Sequence, residues 1–213
     1  MASLVIDNEH TTTSLRNKKY KGVLSLLREP LFHHEDYDPD ILAESTRRFL
    51  KSQHYKHKHH TTAQPPSQLL HSYDPSKSFL TLFFLGDSNN RNAIRFRPRL
   101  VQFCQAQQDQ KTVQTICILQ QDNTNSTFCD GTGFFYMTTT HPNRTALLTL
   151  LAASCVPSVI VVDNATGRRI TDLGMQAIDM NSDDTDAHVV EQWKLGKNGL
   201  TTIQWTMTSC HIS

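Results

Sequence analysis

The chain has no Cys-x-x-Cys pair. Its five cysteines, Cys104, Cys117, Cys129, Cys155 and Cys210, are odd in number and scattered. Their spacing argues against a disulfide scaffold and excludes a zinc knuckle built from cysteine alone. An excess of one charge is also missing: 21 Lys and Arg against 20 Asp and Glu leave a formal net charge of +1. No general attraction to nucleic acid or to a membrane surface follows from that balance. Apolar runs long enough to cross a bilayer are absent. Residues 1–10 carry too short an apolar patch for a signal peptide, and Asp7 and Glu9 disfavour a transit peptide. The expectation is a cytoplasmic or nuclear protein with reduced thiols, in which the sequons at Asn125, Asn143 and Asn164 are chance matches. No cofactor motif is found, and none is expected to be needed.

What is present is one strong stretch, residues 79–100, FLTLFFLGDSNNRNAIRFRPRL. The run from Phe79 to Leu85 reads as a strand buried on both faces, hence central in a sheet. Asp87, Ser88, Asn89 and Asn90 after Gly86 are all helix-capping types, so a helix is predicted to begin near Arg91. Pro98 then falls inside that helix, where it removes the bond to the Ile94 carbonyl and kinks the axis.

Before this stretch, helices are predicted over 15–28, where Tyr20, Val23, Leu24 and Leu27 follow helical spacing, and from an Asp38 cap to about Ser52. The tract SQHYKHKHH places His54, His57, His59 and His60 together. Histidine clusters bind zinc or copper, but the interleaved lysines and the lack of a nearby carboxylate or thiolate favour a solvated basic tract. A linker, TTAQPPSQ, follows. Beyond the central helix, residues 112–119 read as a second buried strand and 128–137 as a short helix with an aromatic segment. A helix over 143–153, a strand over 159–162, a turn at Gly167 and a returning strand over 170–173 complete the pattern. Past Met180 a helix is expected over 184–193, and alternation of Leu200, Ile203, Trp205 and Met207 predicts an edge strand.

A central strand, a short turn and a proline-kinked helix resemble the frame in which thioredoxins present their dithiol. Phe96, Pro98 and Leu100 are similar to the Phe-Thr-Pro-x-Leu that follows the redox motif in nucleoredoxins and tryparedoxins. Residues Cys155 to Asp163 resemble that family's Gly-Ile-Pro-Thr-Leu-Val-Val-Leu-Asp, with Pro157 at the cis-proline position, and 174–178 resemble its Gly-Arg-x-x-Val ending. The resemblance implies an α/β, thioredoxin-like fold: a central mixed sheet flanked by helices over 69–180, a helical and polar N-terminal extension over 1–68 and a C-terminal extension over 181–213.

It also places the redox motif at Asn90, Arg91, Asn92 and Ala93, where both cysteine positions are empty. The position of the buried carboxylate that assists proton transfer in many thioredoxins is Phe84. Dithiol exchange needs a thiolate and a resolving thiol, so an ordinary disulfide reductase is not expected. Cys155 is the one thiol the resemblance places opposite the vacated motif. It is read as a structural small residue, with a monothiol redox role as the alternative; Cys104 and Cys117 are read as core.

The expected role is a protein-binding or scaffolding module. Its groove would be formed by Asn89, Asn90, Arg91, Asn92, Val156, Pro157 and Ser158. The exposed amides of the helix start and a basic stripe of Arg91, Arg95 and Arg99 would favour an acidic partner.

Overall fold

The computed structural model describes residues 22–27, 31–33, 69–71, 73–87, 89–107, 111–120, 128–129, 131–152, 155–181, 185–202 and 204. Seven strands form one mixed sheet: β1 (Leu31–His33), β2 (Leu69–His71), β3 (Leu80–Gly86), β4 (Val113–Leu119), β5 (Phe135–Met137), β6 (Ser158–Asp163) and β7 (Arg168–Thr171). The spatial order is β2-β1-β5-β4-β3-β6-β7. β3 is buried along its whole length. It pairs parallel with β4 and antiparallel with β6, which is why its sequence shows no polar alternation.

Among the described residues four α-helices follow from the same sequence logic: α1 (Arg91–Ala106), α2 (Arg144–Leu151), α3 (Gly174–Asp179) and α4 (Asp186–Lys194). α1, α3 and α4 cover one face of the sheet, over Leu82, Phe84, Val159 and Val161. α2 and a 3-10 turn at Gly22–Leu26 cover the other face, over Phe83, Leu85, Ile160 and Val162. The two sets alternate along β3 and β6 because successive side chains point to opposite faces. Pro98 lies within α1 and is exposed, so the bond it deletes from the ladder faces solvent.

Several expectations are corrected. The segment predicted helical over 15–28 is, where described, a 3-10 turn, because it must bend tightly against the β6–β7 turn. Gly22 adopts φ 52°, and a Cβ there would sit 2.3 Å from the Gly167 carbonyl oxygen. Residues 128–137 form turns followed by β5 and no helix. Gly131 and Gly133 take φ 66° and 68°, a left-handed conformation incompatible with a helical run.

The edge strand predicted over 200–207 is replaced, where described, by the start of a helical turn at Thr202. Thr201 and Gln204 make a reciprocal capping box: the Gln204 amide donates to Thr201 Oγ1 at 3.3 Å and the Thr201 amide to Gln204 Oε1 at 2.9 Å. The helix predicted from Asp38 lies outside the described residues.

Residues on both sides of positions 68 and 180 share the same two cores. Val23, Leu24, Leu27 and Leu31 pack beneath one face, and Val189, Val190 and Trp193 beneath the other.

Candidate functional site

The mouth of the fold lies where β3 ends and α1 begins. Leu85 is in register with Ser158, so the loop carrying Cys155, Val156 and Pro157 leaves the sheet at the same end as Asp87 to Asn90. The Val156–Pro157 peptide is cis, as the resemblance implied. The sequence features predicted to face one another are thus brought to one end of the sheet.

The turn between β3 and α1 is built from local hydrogen bonds. Asp87 Oδ1 accepts from the Asn89 amide at 2.8 Å, and the Asn90 amide donates to the Asp87 carbonyl at 2.9 Å. Asn90 is the N-cap of α1: its Oδ1 accepts from the amides of Asn92 at 2.8 Å and Ala93 at 3.2 Å. This corrects the expectation of an anion site at exposed helix amides. Two of the orphan donors are already satisfied by the Asn90 side chain. Ala93 is fully buried, whereas Asn89, Arg91 and Asn92 are exposed. Beneath them Phe84 occupies the place implied for a carboxylate. It stacks on Phe128 with ring centroids 5.6 Å apart and also contacts Phe96 at 6.1 Å. Hence no proton-transferring side chain stands at that position under α1.

The stripe of Arg91, Arg95 and Arg99 is not a uniform basic surface. Arg99 makes a bidentate pair with Asp186, Nη1 to Oδ2 at 2.8 Å and Nη2 to Oδ1 at 2.5 Å, and its Nη2 also donates to the Asn181 carbonyl. Asp186 is 1% exposed, so this arginine ties α1 to the start of α4. Arg95 remains exposed and lines a cavity of about 240 Å³ with Asn92, Phe96, Met175 and Asp179. Asp179 brings a carboxylate to a groove expected to be basic.

Reading the sequence missed Met175, Asp179 and Asp186, which reach α1 from 80 or more positions away. It also missed Arg97, which is buried with its guanidinium 5.4 Å from the centroid of the Phe128 ring. The signal was there, since Ala93, Arg97, Leu100 and Val101 share the spacing of the inward face.

The thiols divide clearly. Cys117 and Cys129 are fully buried. Burial, and then the hydrogen bond with Cys129, hold the Cys117 thiol well above its usual range. Cys104 is half-buried, with its Sγ 3.1 Å from Thr115 Oγ1. Burial pushes its thiol up to about 12 despite that hydrogen bond. Cys117 is a core cysteine as expected, and Cys104, also read as core, is partly buried and packs against the core. Cys155, in contrast, is exposed. His54, His57, His59 and His60 lie outside the described residues, and among the described residues no group of three His, Cys, Asp or Glu side chains is placed to hold a metal ion. Among them also, no helix is long and apolar enough to cross a membrane.

Neither a protein-family model nor a curated protein matches the chain. Solved structures do match. Tryparedoxin II from C. fasciculata aligns over 64% of this chain and 92% of its own, at 11% identity and a TM-score of 0.48. Tryparedoxin I from Leishmania major aligns over 52% and 79%, at 20% identity and 0.45. Thioredoxin from Wuchereria bancrofti aligns over 55% and 81%, at 12% identity and 0.44. The strand order, the helix leaving β3 and the cis-proline entering β6 define the class: the chain has a thioredoxin-like α/β fold. Its sequence carries no Cys-x-x-Cys at the mouth or elsewhere.

Proposed function

We propose that the chain is a protein-binding or scaffolding module that keeps the thioredoxin-like frame without its dithiol chemistry. The observation that carries this reading is the use made of the two vacated positions. Asn90 is committed to capping α1, and Ala93 is packed into the core, so the mouth is a finished surface with no thiol at the helix start. Asn89, Arg91 and Asn92 on one side, and Val156 and Pro157 on the other, are the groups a bound segment would meet; Ser158, expected in the same groove, is instead buried at the start of β6. Arg91 and Arg95 are the exposed cations beside it, which favours a partner segment carrying acidic residues, held in the cytoplasm or nucleus.

The test is insulin reduction with dithiothreitol or thioredoxin reductase as electron source, paired with recovery of binding partners from native extract by wild type and by Arg91→Glu/Arg95→Glu. No turnover above the reagent blank is expected, along with loss of a specific partner from the variant. Turnover, or a partner set unchanged by the charge reversal, overturns the reading. Arg99 is left out because reversing it would strand Asp186.

The exposure of Cys155 favours a second reading, a monothiol that forms mixed disulfides at the mouth. Alkylation rates across pH distinguish the two. A fast rate at neutral pH that disappears in Cys155→Ser favours the monothiol; a rate like that of a free thiol in a peptide favours the scaffold.

A further inference from the structure

A cavity of about 620 Å³ opens at the end of the sheet opposite the mouth, where β4 and β5 begin and α1 finishes. We propose that it binds a small organic anion with an apolar body. The inference is independent of the protein-binding reading, which concerns the other end of the sheet. The volume lies in the range of small-molecule sites, roughly 300–1,000 Å³. Val113, Phe134 and Phe135 give it an apolar wall, and Lys77 and Lys111 bring two ammonium groups to it, with no carboxylate among the described lining residues. Such a lining attracts an anion and penalises a cation, since among the described lining residues no carboxylate balances the lysines.

Two further observations point to a ligand. Lys111 has φ 49°, left-handed backbone that an L-residue with a long side chain adopts only at a cost. Glycine or asparagine would relieve it, so the strained position brings an ammonium to the rim at the expense of stability. The Gln114 side-chain oxygen, in the cavity lining, is buried without a hydrogen-bond partner among the described residues. A bound O–H or N–H would satisfy it. The ligand is thus an anion such as a carboxylate, sulfonate or phosphate ester, with a flat or aliphatic body against Phe135 and a polar hydrogen for Gln114.

The test uses two fluorescent probes with the same body. 1-Anilinonaphthalene-8-sulfonate is anionic, and N-phenyl-1-naphthylamine lacks the sulfonate. Both are titrated into the full chain and into Lys77→Gln/Lys111→Asn, chosen because asparagine tolerates the left-handed backbone. Wild type is expected to bind the sulfonate at least tenfold more tightly than the neutral probe, and the double variant to lose that tenfold preference while its neutral-probe affinity holds and its unfolding midpoint does not fall, since asparagine relieves the left-handed backbone at 111. Lys111→Arg should keep the preference. Equal affinity of wild type for the two probes, or a sulfonate affinity unchanged in the double variant, overturns the site.

Discussion

The two ends of the central strand are held in different ways. At the mouth, Asn90 caps α1 through bonds to residues two and three positions away, and Asp87 does the same for the turn before it. At the other end Asn164 joins segments more than 80 residues apart in sequence. Its Nδ2 donates to the carbonyls of Pro75 at 3.1 Å and Ser78 at 3.0 Å and to Ser78 Oγ at 2.9 Å, while its Oδ1 accepts from Thr81 Oγ1 at 2.6 Å. Thr81 in turn hydrogen-bonds the hydroxyl of buried Tyr73. A site built from local bonds can exchange its residues without disturbing the sheet. That gives the proposed loss of dithiol chemistry at Asn90 and Ala93 its physical basis. The far end has no such freedom.

The strongest test of this contrast lies on the link between α1 and the C-terminal helix. Arg99→Met removes one half of a pair whose other half, Asp186, is buried. Breaking a buried ion pair on one side costs about 3–5 kcal/mol, because the remaining charge is left uncompensated. Urea unfolding should show a loss of that size. A loss under 1 kcal/mol would mean that α4 is not anchored through this contact, and that the mouth helix stands alone.

The two asparagines then give a direct comparison. Asn164→Ala removes four hydrogen bonds of a largely enclosed amide and leaves Thr81 and Ser78 short of partners. A loss of about 2–3 kcal/mol is expected, from about 1 kcal/mol per bond lessened by water entry. Asn90→Ala removes only a cap and should cost about 1 kcal/mol. The ranking matters more than either figure. If Asn90→Ala proves the more damaging, the mouth is a structural element and its residues are not replaceable, which would remove the physical basis for the proposed change of function.

Much of this frame was legible because it rests on composition and short range. The β3 run, the proline-bearing helix, β4 and the proline-led β6 each announce themselves within ten residues. What stayed hidden has one of two causes. β1 is three residues, too short to display a period of two, whereas β2 falls within 69–75, which reads as a short strand or turn leading into the central strand. The reading of 200–207 as a strand followed threonine and alternating apolar residues, yet side chain to backbone bonds from Thr201 and Gln204 decide in favour of a helical turn. At the site, Asn90 was among the residues predicted to cap. The consequence, that a cap occupies the amides an anion would need, followed only from geometry. Arg99 and Asp186 could not be paired from sequence, since nothing local links positions 87 apart.

The smallest effect expected concerns the thiols at the two ends, and it is read against pH. Cys104 has a folded value raised to about 12 from an ordinary value of 9.0, with burial as the first cause. Cys117 is shifted in the same direction for the same reason. Above pH 9 the unfolded chain gives up these protons while the native protein keeps them. The stability contributed by the neutral thiols is therefore complete below pH 9 and is lost as pH rises from 9 toward 12. Cys104→Ser retains a hydroxyl for Thr115 and removes that titration, so the variant should lose less stability than wild type between pH 8 and 10.5, by urea midpoint. Cys155→Ser, at the exposed mouth, should lower the count of thiols that react in the native state by one. Were that count unchanged, the thiol at the mouth would be a protected one, and the division between a covered interior and an accessible rim would have to be drawn the other way round.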